Sequence, residues 1–175
     1  MTGLDKVMML YKQAGFKVTT IYSDKEFKPL EDIIFQEYHS TLNCSCAQEH
    51  VPKAKNNNNV IKERTRAAYH SLPFKAITKT MTKYLVMDAT KKLNFFPPRG
   101  GISKYYSPCM ILHQKPLDYN RDCHFSIFTY GIAHDEPDPS NTQQARGIDA
   151  LYLRVEKSIQ GSHEVLNLAT GEVIS

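Results

Sequence analysis

The chain has 175 residues, 41% of them hydrophobic, and a formal charge of +4, which allows one core or one core plus a small appended module and excludes a disordered chain. No apolar run approaches the length of a bilayer span, and the first residues lack the basic-then-apolar order of a secretory signal. A nuclear or cytoplasmic setting, with no membrane partner, is therefore the expectation.

Leu4, Val7, Met8, Leu10, Tyr11 and Ala14 recur at helical spacing, and Gly15 stands where a helix ends. Val18 to Tyr22 is rich in β-favouring residues and runs into the polar turn Ser23-Asp24-Lys25-Glu26, leaving an acidic side chain at the end of a strand. Asp24 has two readings. It caps the helix beginning near Pro29, or it is a carboxylate presented to a cation and a phosphate at the open end of a buried strand. Leu30, Ile33, Ile34, Phe35 and Tyr38 predict the second helix, and Thr41 to Cys44 a short strand after it.

The polar stretch Ala47 to Asn59, with Pro52 and four consecutive asparagines, reads as a loop. From Val60 a helical pattern carries Lys62, Arg64 and Arg66, with a break near Leu72-Pro73. A further helix from Lys75 to about Leu93 repeats Ile77, Met81, Leu85 and Ala89 at four-residue steps. Phe95-Phe96-Pro97-Pro98-Arg99-Gly100-Gly101 cannot continue a helix, so a domain edge is placed there: residues 1–94 and residues 95–175. Beyond it, runs such as Cys109 to Leu112, His124 to Tyr130 and Ala150 to Val155 predict a β-rich region. It ends in a hairpin that turns at Ala169-Thr170-Gly171-Glu172.

Four cysteines, Cys44, Cys46, Cys109 and Cys123, are scattered. Cys44 and Cys46 with His50 lack a second ligand pair and read as plain thiols, not as a zinc site. There is no nucleophile elbow, metalloprotease helix or glycine-rich phosphate loop, which disfavours covalent catalysis and nucleotide hydrolysis.

Ile21-Tyr22-Ser23-Asp24-Lys25-Glu26-Phe27 resembles the Ile-x-Ser/Ala-Asp-(x)-x-Glu-Phe signature around the second catalytic Asp of retroelement integrases, particularly those of copia-type retrotransposons. Val51-Pro52-Lys53-Ala54-Lys55-Asn56 with Val60 to Arg66 is similar to the segment carrying that family's third carboxylate. Tyr106-Ser107-Pro108 and the stretch Glu164 to Ile174 resemble the region downstream of the core in such polyproteins. The resemblance implies an α/β fold: a partial ribonuclease H-like, integrase-type core with a small β-rich region after it. The strand bearing the family's first Asp has no counterpart here. Asp5, the one acid upstream of Asp24, belongs to the first turn of a helix, where the macrodipole favours it. The chain looks truncated at its N-terminus.

For function the resemblance implies DNA binding and, in an intact ancestor, metal-dependent strand transfer, with magnesium or manganese held by converging carboxylates. Asp24 matches the second carboxylate and would hold metal. The third falls on Lys55 if the Pro-x-Ala context is aligned, or on Glu63 in the rival alignment. In both cases at least one acid is missing, so activity is expected to be degenerate. Lys53, Lys55, Lys62, Arg64 and Arg66 are the candidate DNA contacts. The expected partners are retroelement ends or target DNA and a second copy of the chain. The alternative is a non-catalytic domain, binding nucleic acid or protein, derived from an integrase.

Overall fold

The computed structural model describes residues 3–45, 52–134, 145–156 and 162–175. By contact, the chain divides into two compact units, Met1–Ala67 with Leu93–Pro116 and Ala68–Lys92 with Leu117–Ser175. Neither unit is contiguous, and the division does not coincide with an edge at residue 95. Helix and sheet are mixed. Among the described residues no helix is long and apolar enough to cross a membrane.

In the first unit, helix α1 (Gly3–Gln13) stops where its sequence says it should. Gly15 takes a φ of +80°, and Phe16 N–H reaches back to the Tyr11 carbonyl at 2.9 Å, closing the last turn. Strand β1 (Thr20–Ser23) then pairs in parallel with β2 (Thr41–Cys44), in the register Thr20 to Thr41 through Ser23 to Cys44. A parallel pair needs a crossover, which a 3-10 helix (Lys25–Leu30) and helix α2 (Glu31–Tyr38) supply. His39 ends α2 in the left-handed region, with its N–H on the Phe35 carbonyl. The fully buried Ser40 donates its hydroxyl to the Val18 carbonyl at 2.8 Å, fastening the entry to β2 beside the entry to β1. Ile34 and Leu42 are buried between α2 and β2.

Helix α3 (Pro52–His70) overturns the loop expected up to Asn59. Proline suits the first position of a helix, where its missing N–H costs nothing, and the asparagine run is carried by the long helical segment after it. Cys46, His50 and the rest of residues 46–51 lie outside the described residues. Helix α4 (Lys79–Phe95) starts later than Lys75 because Thr78 caps it, its hydroxyl accepting from Met81 N–H at 3.2 Å. Helix α5 (Pro108–His113) replaces the strand expected over Cys109 to Leu112. Ser107 accepts from Met110 N–H at 3.2 Å and Pro108 opens the helix, a start signal that outweighs the apolar run.

The second unit also holds a short helix α6 (Tyr119–Asp122), capped by Asp118. Its antiparallel sheet takes the order β3 (Tyr130–His134), β4 (Gly147–Val155), β5 (His163–Asn167), β6 (Val173–Ile174). The run His124 to Phe128 is not strand: Ile127 and Phe128 turn into the core, Phe128 with a φ of +61°, and pairing starts at Tyr130. The register shifts between Tyr152 and Arg154, and Leu153 is left to plug the core at 1% exposure. There it meets Met81, Tyr84 and Leu85 of α4 together with Leu151 and Leu166. The terminal hairpin forms as expected: Asn167 Oδ1 accepts from Ala169 N–H at 2.8 Å, and Gly171 turns at a φ of +74°. Residues 135–144 and 157–161 lie outside the description.

Candidate functional site

The end of β1 defines the site. Asp24 comes after Ser23 with extended geometry (φ −75°, ψ 159°) and occupies the cap position of the 3-10 helix, but its carboxylate accepts no capping hydrogen bond. The capping role is thus taken by position and not by the side chain, which stays exposed. It lines an open hollow of about 660 Å³.

Helix α3 supplies further lining. Lys55, Asn58, Asn59 and Lys62 line the same hollow, and their separations of three and four residues put them on one face of a helix. Ile21, Ile34 and Leu42 give the hollow an apolar floor. At its rim the Ser23 hydroxyl lies 3.5 Å from the Cys44 thiol, and the Ser45 hydroxyl donates to the Ser23 carbonyl at 3.4 Å. Among the described lining residues one carboxylate therefore stands with two ammonium groups, a net positive set.

The expected site residues sort by helix geometry. Lys55 and Lys62 share the hollow with Asp24, and Glu63 does not line it. Arg66, four residues after Lys62, is exposed and continues the same stripe one turn on, whereas Arg64 lies about half a turn round the helix from Lys55. Lys53 belongs to α3, with its side chain outside the description. Asn58 and Asn59 are the lining residues that sequence reasoning missed, because asparagine in a run signals a turn. The signal available was the spacing to Lys55 and Lys62, which matters once the run is helical.

A two-ion centre for magnesium or manganese needs several converging carboxylates. Asp24 is the one carboxylate among the described lining residues, shares the hollow with two lysines, and so does not fit one. Among the described residues no group of three or more His, Cys, Asp or Glu side chains is arranged to hold a metal ion. Asp5 is occupied elsewhere in the same unit: it accepts from the Tyr38 hydroxyl, and that bond pushes the phenol up to about 12. This is a structural use, in keeping with its place in the first turn of α1.

No protein-family model matches the chain, and no curated protein matches it. The functional reading rests on the chemistry of the hollow and on the motif resemblance alone.

Proposed function

We propose that the chain derives from the integrase core of a copia-type retrotransposon, of ribonuclease H-like descent, and that it binds the phosphate backbone of duplex DNA without transferring strands. The observation that carries this is the meeting of Asp24 with Lys55 and Lys62 in one hollow. It favours the alignment that sets Lys55 at the third carboxylate position, because Lys55 lines the hollow that Asp24 lines and Glu63 does not. An ammonium group in that place repels a divalent ion and attracts a phosphate. Arg66 lengthens the basic stripe, and nuclear or cytoplasmic action goes with the reading.

The test is duplex binding as a function of salt. The logarithm of affinity should fall linearly with the logarithm of salt, by roughly 0.9 for each phosphate contacted. Exchanging both Lys55 and Lys62 for Glu should weaken binding at low salt and flatten that slope by about two contacts. Strand transfer with magnesium or manganese should be absent. Robust transfer abolished by Asp24→Asn would overturn the non-catalytic part of the proposal.

A second reading, a protein-interaction domain, is favoured by the exposed apolar side chains of the first unit, including Val7, Met9, Ile33 and Phe35. It predicts no duplex binding even at low salt.

A further inference from the structure

Phe27 and Leu30 line the hollow shared by Asp24, Lys55 and Lys62, and both keep much of their surface open to solvent, at 49% and 41% exposure. Duplex binding leaves that surface unused. A duplex presents phosphates and sugars to a basic surface and keeps the faces of its bases stacked inside, so the lysines are engaged and the apolar side chains are not. Apolar surface left in water beside two ammonium groups suits an occupant that joins an apolar body to a strong anion in one small molecule.

Three further groups narrow the occupant. Asp24, Asn58 and Asn59 are exposed and line the same hollow. A carboxylate only accepts hydrogen bonds, whereas an asparagine amide both donates and accepts, so the occupant must bring N–H donors together with acceptors. Inorganic phosphate alone leaves Phe27 and Leu30 in water, and an alkyl chain ending in a carboxylate covers them but brings no donor for Asp24. A nucleoside monophosphate meets each condition: its phosphate serves Lys55 and Lys62, the body of its base covers Phe27 and Leu30, and the base edge offers amine hydrogens and ring nitrogens to Asp24 and the two amides. The hollow of about 660 Å³ lies within the range of roughly 300–1,000 Å³ common to small-molecule sites.

We propose that this hollow takes one free nucleoside monophosphate, with its phosphate on Lys55 and Lys62 and its base over Phe27 and Leu30. The inference rests on the phosphate affinity assigned to those lysines under the duplex reading, and adds to it a seat for the base. Because the same two ammonium groups serve both ligands, nucleotide and duplex displace each other, and free nucleotide regulates duplex binding.

The experiment titrates the full chain with adenosine monophosphate, with ribose phosphate, which has the same charge but no base, and with adenosine, which has no phosphate, by isothermal calorimetry. Adenosine monophosphate should bind on the order of tenfold tighter than either fragment. Phe27→Ala combined with Leu30→Ala should bring it down to the level of ribose phosphate, and leave ribose phosphate and duplex binding as they were. Lys55→Glu combined with Lys62→Glu should bring it down to the level of adenosine. Asn58→Ala combined with Asn59→Ala should weaken it several-fold, in a helix that alanine favours over asparagine, so that this variant folds even if the apolar one does not. On the unaltered protein, adenosine monophosphate should also release bound duplex. Equal affinity for adenosine monophosphate and ribose phosphate would overturn the proposal, as would binding of neither, failure to release duplex, or full nucleotide affinity in the folded variants. Duplex bound with no preference for the base sinks this inference and spares the duplex reading; a preference for the base with no duplex bound at low salt does the reverse.

Discussion

Glu164, on β5, is 9% exposed and meets two partners. It pairs with the Arg154 guanidinium and accepts from the Tyr84 hydroxyl at 2.7 Å, while Arg154 also lies over the Tyr84 ring at 5.6 Å. The Arg154 hydrogen bond holds the Glu164 carboxyl below its ordinary 4.5, against burial, with Tyr84 helping. A carboxyl lowered by folding adds stability above its unfolded pKa, and that stability is lost as pH falls through the folded pKa. Glu164→Gln should therefore cost about 1–3 kcal/mol at neutral pH, discounted for the exposed side of Arg154, and should make stability fall less steeply below about pH 4.5. Urea denaturation at neutral and acid pH measures both. Neither partner was legible beforehand, because Tyr84 and Glu164 are far apart in the chain and no local pattern links them. Asp24 was legible, since a strand and its end are local features.

At the scale of elements, helices were read from their periodic apolar positions and ends, and misread where composition spoke against them. In α3, asparagine side chains compete for backbone hydrogen bonds and so argue for a turn. Nineteen residues of helix nonetheless include them, with Val60 and Ile61 half-buried just beyond. Asn56 and Asn57 are exposed and line no part of the Asp24 hollow, so they report on helix stability alone. Changing both to Ala should stabilise α3 by about 0.5 kcal/mol each and leave duplex binding unchanged. A raised urea midpoint with unaltered affinity is the expected result. The strand forecast over Cys109 to Leu112 failed for a related reason: apolar runs of four residues suit helix and strand alike, and Ser107-Pro108 decided for helix.

Over the whole molecule, the second unit owes its cohesion to contacts between α4 and a sheet that begins some fifty residues after the start of that helix. That is why the expected edge at residue 95, set by prolines and glycines, does not divide the compact units. Punctuation in the sequence marks where a helix stops, not which surfaces it covers. Leu153 sits at the centre of this packing, so Leu153→Ala should cost about 2–5 kcal/mol through lost burial and a residual cavity. Calorimetry should show the loss as a lowered transition of the second unit. A cost below about 1 kcal/mol would mean that the surrounding side chains collapse onto the space.

The amino-acid order by itself determined the local outcomes: where α1 and α4 end, that β1 leads to an acid, that β5 and β6 form a hairpin, and that α4 carries one apolar stripe. Such features depend on neighbours a few residues away, whose backbone preferences and side-chain spacing are written consecutively. Tertiary structure alone decided which lysines share a hollow with Asp24, that Glu63 stays outside it, how Glu164 meets Tyr84 and Arg154, and how the two units share out the chain. Those depend on burial and on the rotation of one element against another, quantities that exist only after distant segments have met.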